Sequence, residues 1–187
     1  ASCLVGSEMC IRDRSTFITV LAIIYSIEHL PEPKSPKGFL ALILVLETGM
    51  NGTFVALDLI LFFVFFEIVL LPMYFMIGIW GDKTVRTVAG FKNQIETRLY
   101  ASIKFFVFTL FGSAFMLLGF LGLYYRGNRT FSIPELIELG TNGAFTGTFA
   151  MLVFAVLFLG FAVKVPMWPL HTLSLIHISE PTRQEAI

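Results

Sequence analysis

A glutamate, Glu67, stands in the middle of the apolar run from Leu57 to Trp80, and a lysine, Lys164, stands inside another, from Leu157 to Trp168. Carboxylate and ammonium groups can pair as opposite charges and can give or take protons. Both lie here among side chains that offer them no solvation. A helix rises about 1.5 Å per residue, so Asp58 to Trp80 is long enough to cross a hydrocarbon core of roughly 30 Å. Glu67 then falls near mid-depth, where a carboxylate costs several kcal/mol unless it faces protein or water and finds a partner. Lys164 is the expected partner. An acid and a base on two buried helices point to charge movement through a bilayer.

The neighbouring residues leave alternatives open. Pro72 lacks an N–H and its ring clashes with the carbonyl of Ile68, so that oxygen is expected to be free for a water or a side chain beside Glu67. The bland alternative is a kink with a neutral glutamate bonded locally. Pro166 similarly loosens the carbonyl of Ala162, and Lys164, so near a break, could instead snorkel to the surface. His171 is a candidate for the proton path, or an ordinary interfacial histidine. Glu47 is a weaker candidate, read as lying near one end of its segment. Asp58 is expected to cap a helix, and Gly112, Ser113, Gly119 and Gly122 to be close-packing positions. The phenylalanines are read as lipid-facing or core.

The energetics of the pair are finely balanced on this reading. Loss of water disfavours both charged forms, while mutual attraction favours them. At an assumed ~6 Å and an effective dielectric near ~20, the attraction is worth roughly 3 kcal/mol, comparable to the opposing cost. Small changes in distance or hydration would then move a proton.

Elements must hold these groups in place, and composition says what kind. The 187 residues are 56% hydrophobic and 14% charged, against about 25% charged in a soluble domain. The chain is read as an all-α, polytopic transmembrane helix bundle. No GxGxxG, Walker-type loop or CxxC occurs, so nucleotide, iron–sulfur and haem sites have no support.

Both ends are expected to be foreign. Val5–Asp13 and Ser174–Thr182 can be read as translations of opposite strands of one oligonucleotide, which resembles a transposase-type sequencing-library adapter. Residues 1–14 and 173–187 are therefore set aside, with Cys3, Cys10 and His177. The expected domain is residues 15–172, a transmembrane fragment of about five helices with the last one broken, which the resemblance described below makes a proton-translocation domain.

The five apolar segments are Ser15 to Ile27, too short to span as it stands, Lys37 to about Phe54, Asp58 to Trp80, Ile103 to Tyr125, and Thr148 to Val165. Ser132 and Glu135 suggest a capped surface helix ended by Gly140. The loops carrying Lys34, Lys37, Lys83, Arg86, Lys92, Arg98 and Lys104 share one face, against Arg126 and Arg129 on the other. That asymmetry places the lysine-rich loops in the cytoplasm.

Three blocks carry a family resemblance. They are Asp58-Leu-Ile-Leu-Phe-Phe-Val-Phe-Phe-Glu67-Ile-Val-Leu-Leu-Pro72-Met-Tyr-Phe-Met-Ile-Gly-Ile-Trp80-Gly81, Ile103-Lys-Phe-Phe-Val-Phe-Thr109 and Gly160-Phe-Ala-Val-Lys164-Val-Pro166-Met-Trp168-Pro-Leu-His171-Thr172. In this order they resemble the antiporter-like M (mitochondrial chain 4) family of the proton-pumping NADH–quinone oxidoreductase, complex I. The Pro-Met-Tyr run after Glu67 favours this family over its sister chains L and N.

The resemblance implies a 14-helix fold with inverted five-helix repeats. It also implies a Glu67–Lys164 pair that couples to a proton channel in a multi-pass protein of the bacterial cytoplasmic membrane. It implies no cofactor in this chain, with NADH, FMN, iron–sulfur clusters and quinone bound by other subunits. The expected surroundings are the lipid bilayer and other membrane-arm subunits, with no nucleic acid. After Thr172 the family continues Trp-Leu-Pro-Asp-Ala-His, whereas this chain reads Leu-Ser-Leu-Ile-His-Ile. The fragment itself is therefore not expected to pump.

Two other classes remain open. An Mrp-type cation/proton antiporter subunit would share the glutamate and lysine without the redox complex. A packing or assembly subunit would use the buried charges only to fix helix register.

Overall fold

The computed structural model describes residues 2–28, 36–81, 85–86, 95–165 and 167. Seven helices occur among them. They are α1 (Ser2–Glu28), α2 (Pro36–Val55), α3 (Leu59–Ile68), α4 (Leu70–Trp80), α5 (Thr97–Arg126), α6 (Ile133–Thr141) and α7 (Gly147–Lys164). Between α4 and α5 lie two antiparallel two-residue strands, β1 (Val85–Arg86) and β2 (Ile95–Glu96), pairing Val85 with Glu96 and Arg86 with Ile95. The fold class is all-α.

Four spans are long and apolar enough to cross a membrane: Pro36–Val55, Leu59–Trp80, Arg98–Arg126 and Gly147–Lys164. These agree with four of the five expected segments. The first differs, because α1 is helical from Ser2, well before the apolar stretch begins at Ser15. A helix closes its own backbone hydrogen bonds whatever its side chains, so hydropathy located only the apolar part of α1.

Neighbouring spans alternate in direction. Gly49 and Gly52 of α2 approach Val69 and Phe65, Tyr74 of α4 meets Phe106 of α5 at 5.3 Å, and Gly112 and Gly119 of α5 face Val163 and Leu157 of α7. Close packing explains the glycines. A Cβ on Gly112 would lie 2.6 Å from Val163, and one on Gly119 would lie 2.7 Å from Leu157. Ser113, 1% exposed, donates to the Thr109 carbonyl at 2.8 Å and so buries no free hydroxyl. Gly122 has ordinary room, 3.6 Å to Val153.

Asp58 caps α3 as its position suggests. Its Oδ1 accepts from the Ile60 and Leu61 N–H groups at 2.8 and 3.1 Å, satisfying donors that the first helical turn leaves unpaired. The same junction is tied to the connection after α5. The Leu59 N–H donates to the Phe131 carbonyl at 3.0 Å, and the Ile133 N–H donates to the Leu57 carbonyl at 2.9 Å.

Two expectations for α6 need correction. The Ser132 side chain makes no capping bond; instead the Ser132 N–H donates to Thr130 Oγ1 at 3.2 Å. Gly140 lies inside α6, whose C-cap is Asn142, and it is Gly143 that turns the chain, at φ 80°. The bridge to Leu57 and Leu59 fixes the entry to α6 through the backbone, so a side-chain cap is not needed there.

Candidate functional site

The α3–α4 span is interrupted at Val69, three residues before the fully buried Pro72. Pro72 cannot donate to the Ile68 carbonyl and its ring crowds that oxygen, which accounts for a break at this place. Glu67 sits just before it. Leu59 is about 12 Å away along the axis and Trp80 about 20 Å, at ~1.5 Å per residue, so Glu67 is well inside the span.

Lys164 is the last residue of α7. Val165 turns extended (φ −94°, ψ 96°), while its N–H still bonds the Phe161 carbonyl at 2.8 Å. The Ala162 carbonyl was expected to be loosened; it accepts from the Met167 N–H at 3.3 Å. The lysine does not snorkel outward. Its Nζ lies 3.4 Å from Glu67 Oε1, and the two side chains are only 16% and 20% exposed.

The ammonium has two further contacts. It donates to the Phe66 carbonyl at 3.2 Å and lies 4.0 Å from the centre of the Phe66 ring. The side chain expected at the Ile68 carbonyl is therefore seated two residues earlier, on Phe66. A carbonyl has a second lone pair, and the face of an aromatic ring attracts a cation, worth about 2 kcal/mol when desolvated. Phe66 in turn packs on Phe62 and Phe161 at 5.6 and 5.9 Å between ring centres. These rings bring α3 and α7 together beside the charges. The sequence reading treated them as general core and missed Phe66. Its one available signal was adjacency to Glu67.

Glu47 is placed otherwise than expected. It lies eleven residues into α2 and eight from its end, and it is 8% exposed. The expected segment, Lys37 to about Phe54, is nearly the same as α2, so residue count along it already sets Glu47 well inside. Its carboxylate receives Ser15 Oγ at 3.3 Å, Thr16 Oγ1 at 2.9 Å, Thr19 Oγ1 at 2.6 Å and Asn51 Nδ2 at 2.9 Å. Asn51, four residues on along the same helix face, was the one donor that spacing could have revealed. The α1 hydroxyls come from a different helix and could not be paired with Glu47 by sequence distance.

A cavity of about 700 Å³ lies between these two regions, lined by Ser15, Thr19, Thr53, Phe62, Phe66 and Lys164 among others. His171 lies outside the described residues. No group of three or more His, Cys, Asp or Glu able to hold a metal occurs among the described residues.

Four helices long and apolar enough to cross a membrane, two of them joined by a half-buried acid–base pair, define an integral membrane protein. The particular family follows from sequence comparison. The family described as NADH:quinone oxidoreductase/Mrp antiporter, TM, matches residues 56–187, and the chain belongs to it. NADH-quinone oxidoreductase subunit M of Rhodobacter capsulatus is 41% identical over 156 residues, covering 78% of this chain and 28% of that protein. Subunit M of Rickettsia bellii is 35% identical over 178 residues, covering 92% and 32%. NADH-ubiquinone oxidoreductase chain 4 of Mycosarcoma maydis is 37% identical over 158 residues, covering 84% and 28%. The chain thus spans about a third or less of the length of these relatives. The four spans, the family and the bacterial relatives make this an integral protein of a bacterial membrane.

Proposed function

We propose that this chain is part of the antiporter-like membrane subunit of a proton-translocating NADH–quinone oxidoreductase, with Glu67 and Lys164 as its proton-handling pair. The observation that carries this reading is the 3.4 Å contact between two charged side chains on separate membrane-spanning helices. The names of the relatives support the redox complex over an Mrp-type antiporter. NADH, flavin, iron–sulfur clusters and quinone belong to other subunits on this reading, and the neighbours of this chain are membrane-arm subunits. The Lys83–Arg98 connection faces the cytoplasm, as its basic residues suggest.

On this reading the pair alternates between two states. With Nζ against Oε1, the charges stabilise each other by roughly 5 kcal/mol at an effective dielectric near ~20. With the pair opened, the Phe66 carbonyl and ring still hold the ammonium, while the Glu67 carboxylate loses its counter-charge at a depth where that is costly. Opening therefore goes with proton uptake on a Glu67 oxygen, and closing with its release. Rearrangement elsewhere in the complex, driven by quinone reduction, would set which state prevails.

The test is Glu67→Ala in the completed protein within its complex, with assembly checked first. Pumping and coupled quinone reduction should both fall severely, and Glu67→Asp should retain part, since it keeps the charge at shorter reach. Assembled Glu67→Ala complexes that pump at the normal ratio of protons to electrons would make the carboxylate structural. Sodium-driven proton exchange in vesicles lacking the redox subunits would instead favour the antiporter.

A further inference from the structure

Glu47 is buried against α1 with no Lys, Arg or His within ion-pair distance among the described residues. The nearby elements carry charge of their own: Arg12, Asp13 and Arg14 on α1, and Glu67, engaged with Lys164, on α3. What contacts Glu47 is neutral. A carboxylate can be held charged by dipoles alone when enough donors converge on it, and four do so here.

Counting hydrogens shows that the same shell also suits the protonated acid. The Thr16 hydroxyl has one proton and two neighbours that could receive it, Glu47 Oε1 at 2.9 Å and the carbonyl of residue 12 at 3.0 Å. If the proton points to Glu47, Thr16 helps to hold a carboxylate. If it points back to the carbonyl, the Thr16 oxygen becomes an acceptor 2.9 Å from Oε1, and only a protonated Glu47 can fill that contact. One hydroxyl rotation thus switches the shell between the two forms. Only a backbone carbonyl of residue 12 enters, so the side chain there is immaterial.

A second feature points the same way. Asn51 donates to Glu47 through Nδ2, yet its Oδ1 is buried without a partner among the described residues. A buried acceptor left unpaired is costly. Turning the amide over would offer that oxygen to a carboxylic acid proton, so a second acceptor is available to the neutral form.

We infer that Glu47 is a second proton-exchanging carboxylate of this chain, held by Ser15, Thr16, Thr19 and Asn51 in a shell that can donate to the carboxylate and can accept from the acid. This inference rests on the proton-translocation reading above and adds a station to it. Thr19, a donor to Glu47, and Lys164 border the same open, largely apolar pocket, so the two stations flank one groove. The exchange is a proton transfer with solvent: Glu47 Oε1 takes a proton from a hydronium ion as the Thr16 hydroxyl turns to the backbone, and returns it to water as the hydroxyl turns back.

The experiment uses the completed protein in its complex, reconstituted in liposomes, with Glu47→Gln, Thr16→Val and Glu67→Gln compared with the unaltered protein. Glutamine keeps the size of Glu47, donates to the Thr16 oxygen and accepts from Thr19, so it imitates the neutral state. Infrared difference spectra between acid and alkaline buffer report carboxylic C=O stretching, and proton flux per electron reports pumping. The expected result is that Glu47→Gln removes one titrating carboxylic band and slows pumping several-fold, and that Thr16→Val shifts the same band. If every titrating band survives Glu47→Gln and Thr16→Val, or if Glu47→Gln pumps at the unaltered rate, Glu47 exchanges no proton in turnover and the inference falls. Glu67→Gln separates the two proposals. Loss of pumping there with a silent Glu47 overturns only this inference, whereas normal pumping in Glu67→Gln overturns the paired-site reading whatever Glu47 does.

Discussion

Two carboxylates on adjacent segments of this bundle, Glu67 half-buried and Glu47 buried, are stabilised in opposite ways. Glu67 has one long contact to a flexible cation, at 3.4 Å, and an aromatic neighbour that competes for the same ammonium. Glu47 has four contacts to neutral donors, the shortest 2.6 Å, all on short side chains with few rotatable bonds. A charge pair of this kind responds to helix movement, because its attraction depends directly on separation. A shell of dipoles responds to proton occupancy, because hydroxyls and amides can reverse their sense without moving far. The difference suggests a division of labour, with Glu67 as the site that senses geometry and Glu47 as the site that tolerates either protonation state.

The sharpest way to break that contrast is to remove the cation. Lys164→Ala should be the most damaging change, since it leaves Glu67 inside the membrane span without a counter-charge. Loss of one partner of a buried pair costs about 3–5 kcal/mol, and the thermal midpoint of the assembled complex should fall accordingly, together with severe loss of pumping. A midpoint equal to that of the unaltered protein would mean that Glu67 is already neutral or wetted, and that the pair contributes little.

Smaller effects sharpen the other half of the comparison. Thr19→Val removes the shortest hydrogen bond to Glu47 while keeping the volume. A hydrogen bond to a charged group is worth about 1.5–3 kcal/mol, so denaturation of the complex should report a loss of that order. Thr48→Ala, at the next residue of α2, is the matched control. Thr48 is exposed and its hydroxyl bonds the Leu44 carbonyl of its own helix at 2.8 Å, so the change should stay within about 0.5 kcal/mol. Equal losses in the two variants would show that the Glu47 shell has no special energetic role.

Much of this arrangement was legible in the sequence because membrane burial leaves strong local signals. Glu67, Pro72 and Lys164 stand out as polar or helix-breaking residues within apolar runs, and the spans followed from their length and hydropathy. Asp58 announced its cap, and Gly112 and Gly119 their close approach to α7. What escaped depends on contacts between helices. Glu47 was undervalued because its donors Ser15, Thr16 and Thr19 lie on α1, about thirty residues earlier. Phe66 was missed because 21 phenylalanines look alike until one is found under an ammonium. The Ser132 cap failed because a backbone bridge to the start of α3 took over its role. Spacing along one helix is readable, and the register between two helices is not.

The central claim is that Glu67 and Lys164 act as one unit, which a double-mutant cycle on pumping tests most directly. Residues that work together are non-additive, so removing both should cost little more than removing either. Proton flux per electron would be measured in liposomes for Glu67→Gln, Lys164→Met and the double variant of the assembled complex. The account predicts that both single variants lose most of the flux and that the double variant is no worse than either. Losses that multiply in the double variant, or a single variant that pumps at the unaltered ratio, would contradict it.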